Sequence, residues 1–142
     1  MTHFTRLRGA TAAIFTLLIC GTGVAAESFP FDQELLLDAA PMRPGKRMPA
    51  LTVEPNGNAR IDLWCRTVSA RIEISEAAMK IEAGPLPEGL PEMMSAGQCT
   101  PERMQADEEL LSALTRVSVW RAEGTGVLLD GPQTLKFRVS DH

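Results

Sequence analysis

The chain has 142 residues and a net charge of −4, and its only histidines are His3 and His142. This length suits one domain around one core. The acidic balance argues against nucleic acid and anionic lipid surfaces as partners, because both require clustered Lys and Arg. With histidine confined to the two ends, Ser-His, Cys-His and His-metal chemistry is nearly excluded, so we predict a non-enzyme without a cofactor or metal.

The first 26 residues have the composition of an export signal. Arg6 and Arg8 precede an apolar stretch over residues 10–24, and small residues then come before Glu27, as signal peptidase requires. The apolar stretch is short for a membrane span, which needs about 20 residues. We therefore predict that cleavage after residue 26 leaves residues 27–142 as one periplasmic or secreted domain. Its net charge is −6, because the signal removes two arginines and no acid.

A lipid anchor at Cys20 is the alternative to a cleaved, unanchored form. Residues 17–20 (Leu-Leu-Ile-Cys) half resemble a bacterial lipobox, in which the lipid is attached to the cysteine. That motif normally has a small residue at the position of Ile19, so we prefer the unanchored form.

Two cysteines, Cys65 and Cys99, remain after the signal is removed. An even pair in an oxidising compartment favours a disulfide. Two free buried thiols are the alternative. A structural zinc site is not expected, since it needs about four Cys or His ligands.

The first part of the domain alternates between strand patterns and turns. We predict strands at 29–37 and 51–54, separated by a proline-rich loop at 41–49. Asn56-Gly57 then predicts a hairpin turn.

The strand after this turn places Ile61, Leu63 and Cys65 on an inner face by period-2 alternation. The same alternation puts Trp64 and Arg66 on the polar outer face with Arg60 and Asp62. An aromatic side chain on a polar face can mark a binding patch, so Trp64 and Arg66 form a possible binding surface. The alternative, which we favour for Trp64, is a Trp covered by a loop.

Further strands are predicted at 70–75 and 79–82, followed by a loop at 84–98 that is rich in proline and glycine. A helix begins at Thr100-Pro101, because Thr caps free backbone N–H groups and proline suits the first helical position. Its predicted apolar stripe contains Met104, Glu108, Leu111, Leu114 and Val117, with Leu110 beside them.

The acidic run at 107–109 is predicted to be a solvated face of this helix, because consecutive carboxylates spread around a helix rather than converge. Replacing any one of the three acids should then change stability little, whereas Leu111 and Leu114 close the sheet.

Three more strands are predicted at 117–122, 126–129 and 135–139, separated by hairpin turns at 123–125 and 130–133. A body rich in strands with one late helix is an α+β pattern.

From residue 59 to residue 137 the sequence resembles the META domain, the family of the heat-inducible envelope protein HslJ. In that family a strand ends at Gly-Cys-Asn, a Thr-x-x-x-Cys stretch precedes the helix, and a leucine-rich hairpin follows. The matching segments are Trp64-Cys65-Arg66, Ser95 to Cys99, Glu108-x-x-Leu111-x-x-Leu114-x-x-Val117-x-x-Trp120, Val127 to Leu129 and Leu135 to Phe137. Trp64 and Arg66 replace the glycine and the asparagine, so no role of that asparagine is carried over.

The resemblance implies a strongly bent antiparallel sheet, a partly open barrel, covered by one α-helix. Leu111, Leu114, Val117 and the aromatic Trp120 would pack the helix onto the sheet. The family has no established catalytic residues, so the implied function is a non-catalytic, stress-related envelope protein. Its partner would be an envelope protein or an apolar ligand in the mouth of the sheet. The alternative is a secreted inhibitor of an envelope or host hydrolase, since small disulfide-stapled β domains commonly have this role.

We expect the exported protein to begin at Glu27, because the small residues at 24–26 suit signal peptidase and the lipobox is poor. Intact-mass measurement of the exported protein checks this start. A mass that corresponds to a lipidated chain beginning at Cys20 would contradict it.

Overall fold

The computed structural model describes Ala13, residues 28–43 and residues 45–141. The predicted export signal, with its alternative anchor at Cys20, lies outside the described residues apart from Ala13. The helices are α1 (Pro91–Ser95) and α2 (Pro101–Thr115). The strands are β1 (Leu35–Leu37), β2 (Ala50–Val53), β3 (Asn58–Asp62), β4 (Thr67–Ser75), β5 (Ala78–Ala83), β6 (Val119–Glu123), β7 (Gly126–Asp130) and β8 (Thr134–Val139).

The strands form one antiparallel sheet in which each pairs with the next along the chain, and β8 pairs with β1 to close a ring. The ring is uneven, because β5 and β6 share a single paired position, Ala78 with Val119. The predicted α+β class and the bent antiparallel sheet beneath a helix are confirmed.

Turn chemistry places most strand boundaries where the sequence predicts them. Gly57 has a φ of +92° between β2 and β3, and Gly124 has a φ of +56° between β6 and β7. Both values lie in the left-handed region that glycine adopts without strain. The first strand is shorter than predicted, because a turn follows Pro30 and Asp32 has a φ of +60°.

The interior of the ring is packed with side chains. Phe29, which precedes β1, joins this core and lies edge-on to Trp120 with a centroid distance of 5.3 Å. Among the described hydrophobic residues, those at 0% exposure are Leu35, Leu51, Val53, Leu63 and Leu129.

The helix α2 begins as the sequence predicts. Pro101 occupies the first turn, and the Thr100 hydroxyl oxygen accepts a hydrogen bond from the Arg103 backbone N–H at 3.3 Å. The predicted apolar stripe is wrong for Glu108, which is exposed, and Leu111 is only half-buried, whereas Leu114 and Val117 are buried as predicted. The side chains that the helix buries are Arg103, Asp107, Leu110 and Leu114.

Val117 and Trp120 lie beyond the helix, which ends at Thr115. Both are buried in the core, and Trp120 belongs to β6. Its indole Nε1–H donates to the Glu76 carbonyl oxygen at 2.6 Å, so this aromatic side chain fixes β6 to the turn that precedes β5.

None of the helices within the described residues is long and apolar enough to cross a membrane.

Leu114→Ala should lower the free energy of unfolding by about 2–5 kcal/mol, because a buried leucine leaves a cavity when truncated. Leu111→Ala should cost less, since Leu111 is half-buried whereas Leu114 is only 1% exposed. Chemical denaturation of both variants measures the difference. Equal losses would contradict the helix orientation described above.

Candidate functional site

One end of the ring carries the helix. Because the paired strands are antiparallel, β1, β3 and β7 end where β2, β4 and β8 begin, at the same end of the ring. We call this end the rim. The helix α2 belongs to the connection from β5 to β6, and it meets residues 63–66, the turn between β3 and β4, at the rim.

A buried ion pair joins that turn to the helix. Asp107 of α2 is 0% exposed, and its Oδ1 accepts a hydrogen bond from the Cys65 backbone N–H at 3.0 Å. Its Oδ2 accepts from the Arg66 backbone N–H at 3.0 Å and from Arg66 Nε at 3.1 Å. Both carboxylate oxygens are therefore occupied by donors, which makes Asp107 a structural anchor rather than a free proton acceptor.

Arg66 extends this anchor to a third segment. Its Nη2 donates to the Met104 carbonyl oxygen at 2.9 Å, and its Nη1 donates to the Pro87 carbonyl oxygen at 3.1 Å. One guanidinium thus holds the 63–66 turn, the loop after β5 and the helix together.

The disulfide lies beside the ion pair. Cys65 and Cys99 are bonded, with their Cα atoms 5.2 Å apart and a sequence separation of 34. The predicted pairing is confirmed. It attaches the 63–66 turn to the residue before Thr100, so a covalent bond and an ion pair connect the same two segments.

The prediction that the whole acidic run is solvated is wrong for Asp107. Arg103, Asp107, Leu110 and Leu114 follow one another at spacings of four, three and four residues, which places them on one face of the helix. This spacing was visible in the sequence, but it joins charged and apolar residues. An apolar stripe alone therefore does not reveal this buried face of the helix.

Period-2 alternation is wrong in placing Arg66 and Trp64 on a polar outer face, whereas a covered Trp64 is the alternative that the sequence favours. Arg66 is 7% exposed and Trp64 is 8% exposed. The strand β3 ends at Asp62, so period-2 alternation no longer assigns faces in the turn at 63–66. Neither side chain stands on an open polar surface.

Trp64 does reach a cleft between the helix and the rim. The cleft has a volume of about 390 Å³, which lies within the range of about 300–1,000 Å³ typical of small-molecule sites. Buried apolar side chains form part of its wall, and polar residues stand at its edge. Its lining consists of Leu37, Asp38, Ala39, Trp64, Ala106, Glu109, Leu110, Gln133, Thr134, Leu135 and Lys136.

A second cleft of about 340 Å³ continues along the helix and shares Glu109 and Gln133 with the first. Together the two clefts form a groove between α2 and the turn joining β7 to β8. We call it the α2–β8 groove. Its edge carries charges of both signs, including Lys136, whose Nζ lies 3.8 Å from Asp38 Oδ2.

The fold and the groove define a small α+β domain in which a helix covers one end of an antiparallel ring. No protein-family model and no curated protein matches the chain. A protein whose structure was solved by NMR is similar in fold, with a TM-score of 0.54 and 14% sequence identity. The match covers 76% of this chain and 89% of that chain. At this identity the likeness concerns the fold alone, and the META resemblance stays a prediction.

Asp107→Ala should lower the free energy of unfolding by about 3–5 kcal/mol, because it leaves the buried Arg66 guanidinium without its partner. Glu108→Ala is the matched control, since Glu108 is the adjacent exposed acid, and surface substitutions usually stay within about 0.5 kcal/mol. Denaturant unfolding of both variants tests the contribution of the Asp107–Arg66 ion pair. Equal stabilities would show that Asp107 does not anchor the helix.

Proposed function

We propose that this chain is a non-catalytic exported protein that binds the apolar part of a ligand, or an apolar side chain of a protein partner, in the α2–β8 groove. The observation that carries the proposal is the cleft of about 390 Å³ whose lining includes Trp64 together with Leu37, Leu110 and Leu135. The cleft combines apolar and polar side chains, and small-molecule sites combine the two in the same way.

The packed core supports this location. The core side chains of the described residues pack together inside the ring, and both clefts of the groove are lined by α2. The groove lies at the rim, which corresponds to the mouth of the bent sheet suggested by the META resemblance. The Asp107–Arg66 pair and the disulfide hold the helix at this rim, so the groove has a fixed wall before a ligand arrives.

The compartment and the physiological role rest on the sequence. The export signal at 1–26 and the disulfide support a periplasmic or secreted protein. The stress-related role follows from the META resemblance. In that family a strand ends at a cysteine-containing element, and a helix covers the bent sheet.

The neutral probe N-phenyl-1-naphthylamine, whose fluorescence rises in apolar surroundings, tests the groove. The wild-type protein should bind it saturably. Gln133→Trp should weaken binding at least tenfold, or about 1.4 kcal/mol, because Gln133 lies where the two clefts meet. The larger side chain would fill this junction.

Gln105→Trp is the control, because Gln105 is exposed on the same helix and belongs to neither cleft. Its affinity for the probe should equal that of the wild-type protein. Absence of saturable binding, or equal weakening in both variants, would refute the groove as the site.

A further inference from the structure

The loop between β5 and α2 carries two large apolar side chains that stand in solvent. Leu90 is 58% exposed and Met94 is 48% exposed. The next most exposed large apolar residue of the described chain, Val119, belongs to β6 and is 41% exposed. Single exposed apolar residues are common on soluble proteins, whereas adjoining ones often mark a surface that contacts a partner.

Leu90, Met94 and the half-buried Met104 adjoin one another, and we call them the methionine surface. The Leu90 carbonyl oxygen accepts a hydrogen bond from the Met94 backbone N–H at 3.1 Å. Gly89 brings the two methionines together, because a Cβ placed on it would lie 3.8 Å from Met94 Cγ and 3.5 Å from Met104 Cε. Methionine is flexible and polarizable, so such a surface adapts to the side chains of a partner.

The short helix α1, which carries Met94, is held in place by contacts outside itself. None of its residues is buried, and a helix of one turn is not stable alone in water. The Met93 carbonyl oxygen accepts from the backbone N–H groups of Gln98 and Cys99 at 3.0 and 3.1 Å, and Cys99 is bonded to Cys65. The methionine surface is therefore ordered before a partner binds, which lowers the entropy lost on binding.

The charge around the methionine surface is negative. Glu88 and Glu92 stand on either side of Leu90 in the sequence, and both are exposed. Neither forms an ion pair with another of the described residues. Residues 81–102 contain no Lys, Arg or His. A second copy of this acidic chain or an anionic membrane would meet like charge here, whereas a cationic partner would be attracted.

We propose that the methionine surface binds a basic amphipathic segment of a partner protein. The apolar side chains of the segment contact Leu90, Met94 and Met104, and its Lys or Arg side chains lie against Glu88 and Glu92. Amphipathic helices bind apolar surfaces in this way, through side chains one helical turn apart. None of the three apolar residues lines the α2–β8 groove, so this surface and that groove are separate sites.

A fluorescein-labelled peptide of Leu and Lys, arranged to give one apolar helical face, tests the surface by fluorescence anisotropy. The wild-type protein should bind it saturably. A peptide of the same composition, scrambled so that it has no apolar face, should bind about tenfold more weakly or worse, because only its charge is recognised. Equal binding of the two peptides would overturn the proposal.

Leu90→Ser combined with Met94→Ser should weaken binding of the amphipathic peptide by about tenfold or more. Both side chains are exposed, so the substitutions should leave the fold intact. Val119→Ser is the matched control, because it removes an exposed apolar side chain from β6. It should bind the peptide as the wild-type protein does. Unchanged affinity in the double variant would overturn the proposal.

Glu88→Gln combined with Glu92→Gln tests the charge. This variant should bind the peptide more weakly at low salt and should lose affinity less steeply as salt is added, because salt screens exposed charges. Glu54→Gln, a substitution of an exposed acid after β2, is the control and should keep the salt dependence of the wild-type protein. The same salt dependence in all three proteins would contradict the role of Glu88 and Glu92.

Gln133→Trp separates this surface from the α2–β8 groove. The variant fills the junction of the two clefts, so it should bind the amphipathic peptide as tightly as the wild-type protein does. If Gln133→Trp weakens peptide binding and the Leu90 and Met94 double variant does not, the peptide occupies the groove and the present proposal is wrong.

NMR of the wild-type protein with ¹³C-labelled methionine methyl groups provides a measurement that needs no variant for binding. The methyl signals of Met94 and Met104 should shift as the peptide is added. Met79, which is 4% exposed in β5, is the internal control and should not shift. A stationary Met94 signal at saturating peptide would overturn the proposal.

Discussion

The buried pair of Asp107 and Arg66 is the interaction on which the helix-covered rim depends. An ion pair inside a protein must offset the loss of hydration of both charges, and it does so only when the remaining donors and acceptors are satisfied. Here the carboxylate accepts two backbone N–H groups as well as the guanidinium, and the guanidinium reaches two carbonyl oxygens. The pair therefore specifies where the helix lies, whereas an apolar contact would allow it to slide.

The disulfide and the ion pair act on the same two segments by different means. The covalent bond stabilises the fold mainly by restricting the unfolded chain, by about 3–4 kcal/mol for a loop of this size. The ion pair acts in the folded state, where it sets the angle of the helix over the rim. Trp64 directly precedes Cys65 and Arg66 in sequence, so the residue that lines the groove is held by two anchors that follow it on the chain.

The sequence predicts the strands well, because period-2 alternation and turn-forming residues are both properties of short stretches of the chain. The last strand, predicted at 135–139, is Thr134–Val139 in the structure, and Asn56-Gly57 forms the turn that its chemistry favours. Period alone misplaces Asp107 and Arg66, because their burial depends on contacts across about 40 residues of chain, which no local pattern records. The sequence does not reveal the groove either, because its walls come from four separate segments, which are β1, α2, β8 and the 63–66 turn.

Closure of the ring through β1 and β8 has a consequence for the order of assembly. Leu35 pairs with Val139, so the two strands that complete the sheet come from opposite ends of the domain. Contacts between residues so far apart in sequence form slowly, because the intervening chain loses conformational entropy before the contact stabilises the fold. A growing chain exposes the edges of β1 and β7 until β8 has been synthesised. The domain therefore reaches its native form only after its last residues have been made, and a truncation before Thr134 removes the strand that joins its two ends.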